Sequence, residues 1–121
     1  MRTVEFIVLA LIANSPVASQ TLNPLEGRWS VDLSTKPSEP YTKAMVLRLA
    51  ADGTVTGSFY DSDIQAGRWK TDRGRTCVSF RTTDGAGPYH TSACLRGSKM
   101  EGQTWAEHRS FLFNWNAARN Q

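Results

Sequence analysis

The sequence predicts an all-β fold: an eight-stranded antiparallel up-and-down meander barrel with one cross-strand disulfide. Three observations lead to this prediction. Helical periodicity is nearly absent, strand-length segments of alternating apolar and polar residues follow one another, and short turn signals separate them. Eight sequential strands leave two free edges, and pairing the last strand with the first removes both.

The size and composition of the chain limit the classes of protein to which it can belong. It has 121 residues, 40% of them hydrophobic and 21% charged, with a formal net charge of +3. This length allows a single domain, and the composition excludes a disordered or collagen-like chain. The longest apolar run covers residues 6–13, far short of the roughly 20 residues that span a bilayer. We therefore expect a protein that does not span a membrane.

The N-terminus has the pattern of an export signal. Arg2 precedes the apolar run at residues 6–13, and Val17-Ala18-Ser19 supplies small residues for cleavage. The alternative is a buried N-terminal helix or strand. We predict a secretory signal peptide at residues 1–19 and a single barrel domain at residues 20–121. The protein is then exported, to the periplasm or the extracellular space.

The eight predicted strands cover residues 27–33, 43–50, 54–60, 64–71, 76–83, 88–95, 100–107 and 110–115.

The turn between strands two and three determines which faces meet. A three-residue turn with Gly53 in the left-handed conformation pairs Leu49 with Val55 and Met45 with Phe59. A two-residue turn would instead place apolar residues opposite polar ones. Because a slip of one residue inverts every side chain, we predict the three-residue turn.

The turn between strands five and six predicts the disulfide. A turn centred on residues 85–86 pairs Val78 with Ala93 and places Cys77 opposite Cys94. An exported chain meets an oxidising compartment, so we expect these two cysteines to be bonded on the outer face of the barrel. The sequence has no Cys-x-x-Cys motif, and no metal site is expected.

Strand seven can face either way. One register of the turn at residues 97–98 points Met100 and Thr104 inward and makes the better core. The other points Glu101 and Trp105 inward and makes a pocket with polar walls. An inward Trp105 would favour a ligand pocket, and an inward Met100 would favour a filled core.

Two segments resemble a known grouping of β-barrels. The first strand, Gly27-Arg28-Trp29, resembles the Gly-x-Trp signature of the calycins, which include lipocalins, fatty-acid-binding proteins and avidins. The hairpin at residues 51–60 is similar to the second hairpin of the avidin–streptavidin family. The resemblance implies structural roles for Gly27 and Trp29, with Arg119 packed over the Trp29 ring. Phe59 stands where avidins have a biotin-contacting tyrosine, so biotin is not the expected ligand.

The aromatic residues suggest a binding function. Seven of them are predicted to line a cavity inside the barrel: Phe59, Trp69, Phe80, Tyr89, Trp105, Phe113 and Trp115. Pockets for small molecules are mostly apolar with a few polar groups. We therefore predict an exported binding protein that holds a small apolar or amphipathic ligand. No cofactor is expected, and no catalytic residues or activity, since no group of nucleophile, base and orienting residue emerges.

The alternative function is a solid-core interaction module. It would bind a protein or an anionic envelope component through basic residues of strands four and five, which are Arg68, Lys70, Arg73, Arg75 and Arg81. Nucleic acid is not an expected partner, because the chain lacks a stripe of basic and aromatic residues on one face.

Overall fold

A single antiparallel sheet forms the barrel, as the alternation of apolar and polar residues predicts. The computed structural model describes residues 23–120, so the predicted signal peptide at residues 1–19 lies outside the described residues. The strands are β1 (Gly27–Asp32), β2 (Thr42–Leu49), β3 (Thr54–Phe59), β4 (Ser62–Asp63), β5 (Gln65–Asp72), β6 (Arg75–Thr83), β7 (Pro88–Arg96), β8 (Lys99–Ala106) and β9 (Phe111–Arg119), with a 3-10 turn at Glu107–Arg109.

The sheet closes on itself. Its strand order is β2-β1-β9-β8-β7-β6-β5-β3-β4, and β2 also pairs with β3. β1 and β9 pair in an antiparallel register that sets Val31 opposite Ala117. The predicted eight-stranded meander barrel is thereby confirmed, with the two-residue β4 as an addition at the end of β3. No helix within residues 23–120 is both long enough and apolar enough to cross a membrane.

The hairpin registers follow the turns predicted from the sequence. Leu49 pairs with Val55 and Met45 with Phe59, and Gly53 has a φ of +95°, as the three-residue turn requires. Cys77 pairs with Cys94, and the two form a disulfide with Cα atoms 4.0 Å apart.

The fourth barrel strand is more irregular than predicted. A continuous strand was expected over residues 64–71, whereas β4 and β5 are separated at Ile64 and the register with β6 shifts between Gln65 and Arg68. Ala66 has a φ of +53°. This combination is typical of a bulge, which bends the strand and re-aims its side chains.

β8 corresponds to the predicted strand seven. Its Met100 and Thr104 side chains point inward and are buried, whereas the side chains of Glu101 and Trp105 lie on the outer face. The register in which Glu101 and Trp105 face inward is therefore wrong. Gly102 pairs with Trp115, and a Cβ atom at position 102 would collide with the Trp115 ring. The large indole of β9 thus needs Gly102 on the inner face, and this selects the register.

One end of the barrel is closed by a cluster around Trp29. The indole is 1% exposed, and its Nε1 donates to the Leu25 carbonyl at 3.0 Å. The Arg119 guanidinium lies 4.4 Å from the ring centroid and donates to the carbonyls of Glu26 and Pro24. A side chain at Gly27 would meet this guanidinium. The expected packing of Arg119 over Trp29 is present, and it seals this end.

Candidate functional site: a cavity at the open end of the barrel

The opposite end of the barrel holds a cavity of about 640 Å³. Its wall includes residues from the loop at 33–41, the ends of β3 and β6, the 3-10 turn and the start of β9. Sites for small molecules usually measure roughly 300–1,000 Å³. The barrel is therefore filled at the Trp29 end and hollow at the other.

The inner wall of the cavity is aromatic. Phe59 is buried, and its ring lies 6.0 Å from Phe80 and 5.7 Å from Trp115. Phe111 and Phe113 stack in parallel with 5.8 Å between centroids. Such rings bury each other and hold a fixed shape, so the cavity has a rigid apolar wall.

Three buried threonines point into the interior of the barrel: Thr82 from β6, Thr91 from β7 and Thr104 from β8. Thr104 Oγ1 accepts a hydrogen bond from Trp115 Nε1 at 3.0 Å and shares another with Thr91 Oγ1 at 2.9 Å. Thr104 and Thr82 both line the cavity. The aromatic wall therefore carries hydroxyl groups at defined positions.

A chain of polar groups forms one side of the rim. The Tyr89 hydroxyl donates to Asp84 Oδ2 at 2.7 Å, and Arg109 Nη1 donates to the Tyr89 oxygen at 2.8 Å. The hydrogen bonds from Tyr89 and from the Ala86 N–H lower the pKa of Asp84 below its usual value. The tyrosine is thereby held in one orientation, with its ring toward the cavity.

A tyrosine pair forms the other side of the rim. The hydroxyls of Tyr41 and Tyr60 are hydrogen-bonded, and this bond raises the pKa of Tyr60. The Lys43 ammonium lies 4.8 Å from the Tyr60 ring centroid and 3.3 Å from Asp61. Ser34 Oγ accepts the Tyr41 N–H at 2.7 Å. These contacts tie the loop at residues 33–41 to the β3–β4 turn beside the opening.

Five of the seven predicted aromatic residues gather at this end. Phe59, Tyr89 and Phe113 line the cavity. Phe80 and Trp115 are buried and pack against Phe59. They therefore hold the Phe59 ring in place without lining the cavity themselves.

The other two aromatic residues lie elsewhere. Trp69 is at the opposite end, where its Nε1 donates to the Ala50 carbonyl at 2.9 Å. Trp105 is on the outer surface, 41% exposed, because β8 adopts the register that turns Met100 inward. Neither residue lines the cavity.

Sequence reasoning missed several residues of the site. Thr82 and Thr104 could have been found, because they continue the inward alternation of Phe80 on β6 and Met100 on β8. Tyr41 and Arg109 lie outside the strands, where alternation gives no signal.

Within residues 23–120, no group of three or more His, Cys, Asp or Glu residues could hold a metal ion. His90 and His108 are both exposed, and His108 packs edge-on against Tyr89 with 5.2 Å between centroids. The five basic residues of β5, β6 and their turn are also exposed.

Comparison with known proteins finds no match to this chain among family models, curated proteins or solved structures. The resemblance to avidins stays a prediction from the sequence.

Proposed function

We propose that this chain is an exported binding protein that holds a small apolar or amphipathic molecule in the open end of its barrel. The observation that carries the proposal is the cavity of about 640 Å³ with an aromatic inner wall and a polar rim. Apolar ligands gain affinity from leaving water, and a few polar groups orient them. Both kinds of group are present at this site.

The direct test is binding of N-phenyl-1-naphthylamine, an uncharged dye that fluoresces in apolar surroundings. Leu33 lines the cavity, and Leu33→Trp places an indole in this space. We expect the variant to weaken dye binding by at least about tenfold, because the indole occupies the space in which the dye would bury its own apolar surface.

The matched control is Leu112→Trp, the same substitution at an exposed position on the outer face of β9. This variant should bind the dye like the wild type. Equal dye binding by both variants, or no binding by the wild type, would rule out the cavity as a ligand site.

Export is part of the proposal. The disulfide between Cys77 and Cys94 supports it, because such bonds persist in oxidising compartments. The mass of the protein purified from its own host tests it directly. A mature chain that begins at Gln20 is expected, and a full-length chain would refute cleavage at the predicted position.

A second candidate is an interaction module that binds a protein or an anionic envelope component through the exposed basic residues of β5, β6 and their turn. The inward Met100 fills the Trp29 end of the barrel, and Trp105 is exposed opposite Leu112 on the outer face. The test is retention on immobilised dextran sulfate, an anionic polysaccharide. Loss of retention in Arg73→Ser with Arg75→Ser, together with full retention in Leu33→Trp, would favour this candidate.

A further inference from the structure

A buried hydroxyl, that of Thr82, faces the cavity. Thr82 on β6 is 6% exposed and forms part of the cavity wall. Within residues 23–120, no group forms a hydrogen bond with its Oγ1, whereas the hydroxyl of neighbouring Thr83 bonds to the Gly87 carbonyl and the Gly85 N–H. Buried polar groups are nearly always paired. An unpaired one in a cavity wall indicates a place where a bound molecule completes the pair.

The other two buried threonines already have side-chain partners. Thr91 and Thr104 bond to each other, and Thr104 also receives the Trp115 indole N–H. These contacts hold the inner wall in place. Thr82 is therefore the one buried hydroxyl of residues 23–120 that has no hydrogen-bond partner within these residues.

The charge distribution limits what can enter. The buried residues of the cavity wall are Phe59, Thr82 and Thr104, none of which is charged. The charged residues of the wall are Glu39, Asp84 and Arg109, and all three are exposed at the rim. An ionised group placed deep in the cavity would lose its water without gaining a counter-charge. The buried part of the ligand must then be neutral.

From these observations, and resting on the proposed function, we infer that the cavity selects an uncharged aromatic or aliphatic compound with a hydroxyl or carbonyl group. This group exchanges a hydrogen bond with Thr82 Oγ1. Thr82 is then the specificity-determining residue.

Three compounds of one shape test this inference: naphthalene, 2-naphthol and 2-naphthoate, each measured by displacement of N-phenyl-1-naphthylamine at pH 7. Naphthalene has no polar group, 2-naphthol carries a neutral hydroxyl, and 2-naphthoate carries a carboxylate. We expect 2-naphthol to bind roughly three- to tenfold more tightly than naphthalene, as one neutral hydrogen bond to a buried group allows. The carboxylate should bind more weakly than 2-naphthol.

Substitutions of Thr82 distinguish the effect of its hydroxyl on ligand preference from the effect of its side-chain shape. Thr82→Val keeps the shape and removes the hydroxyl, so the preference for 2-naphthol should fall below about twofold while naphthalene affinity is retained. Thr82→Ser keeps the hydroxyl and should keep the preference. Thr56→Val, at an exposed position on β3, is the matched control and should bind like the wild type. Thermal melting of each variant establishes that it is folded.

The outcomes distinguish this inference from the proposed function. Equal binding of naphthalene and 2-naphthol, unchanged in Thr82→Val, overturns the inference and leaves the binding function standing. Tightest binding of 2-naphthoate also overturns it, because the polar group would then face Arg109 at the rim. If neither the dye nor any of the three compounds binds, the proposed function fails and the inference fails with it.

Discussion

Replacing Trp29 with alanine is expected to open the sealed end of the barrel and to lower the free energy of unfolding by about 4 kcal/mol. The indole is 1% exposed. A buried tryptophan removes roughly 150–250 Å² from water, which corresponds to about 4–6 kcal/mol at 25 cal/mol per Å². The expected loss is at the lower end of this range, because the alanine methyl group remains buried and the surrounding residues partly fill the space.

Two further contacts depend on the same side chain. The indole N–H bonds to the Leu25 carbonyl at 3.0 Å, and the Arg119 guanidinium lies over the ring at 4.4 Å. Trp29→Phe keeps most of the packing and leaves the Leu25 carbonyl unpaired, so a loss of about 1–2 kcal/mol is expected. The difference between the two variants separates packing from the hydrogen bond.

The assay is urea unfolding followed by far-UV circular dichroism, since the remaining tryptophans complicate fluorescence. Trp105→Ala is the control: this indole is 41% exposed, and its loss should change stability by less than about 1 kcal/mol. A loss below about 1 kcal/mol for Trp29→Ala would show that the closed end does not depend on this residue.

Three other predictions concern the disulfide, the buried threonines and the rim. Cys77→Ser should lower the free energy of unfolding by about 2–4 kcal/mol, because the disulfide restricts the unfolded chain; melting of oxidised and reduced wild-type protein checks it. Thr104→Val should cost about 1–3 kcal/mol in urea unfolding, because the Trp115 N–H loses its buried acceptor. The lowered pKa of Asp84 means that its ionised form stabilises the folded state above the ordinary Asp pKa of about 3.9, and this contribution is lost as pH falls through the lower folded value; stability of wild type and Asp84→Asn between pH 2 and about 6 tests it.

Each of these predictions has a contrary result. Equal melting temperatures of oxidised and reduced protein would contradict the first. A stable Thr104→Val variant would show that the indole finds another acceptor. An Asp84→Asn variant with the same acid dependence as the wild type would show that other carboxylates, such as Asp32 and Asp52 with their own lowered pKa values, account for it.

The sequence alone was enough to predict the hairpins and their registers. Gly53 and the turn at residues 85–86 each permit one pairing that keeps apolar side chains on one face, and the structure adopts both. The Cys77–Cys94 pair follows from the second of these turns. Such turns are encoded locally, because glycine conformation and strict alternation act within a few residues.

The bend of the fourth strand, the facing of β8 and the position of the cavity required the tertiary structure. The turn at residues 97–98 allows either facing of β8, and the Trp115 ring against Gly102 on the neighbouring strand decides it. The cavity lies at the end away from Leu25, Trp29 and Arg119. Arg119 is far from the other two residues in sequence, and the three together seal the opposite end. Both outcomes depend on contacts between residues far apart in sequence, which alternation and turn residues do not encode.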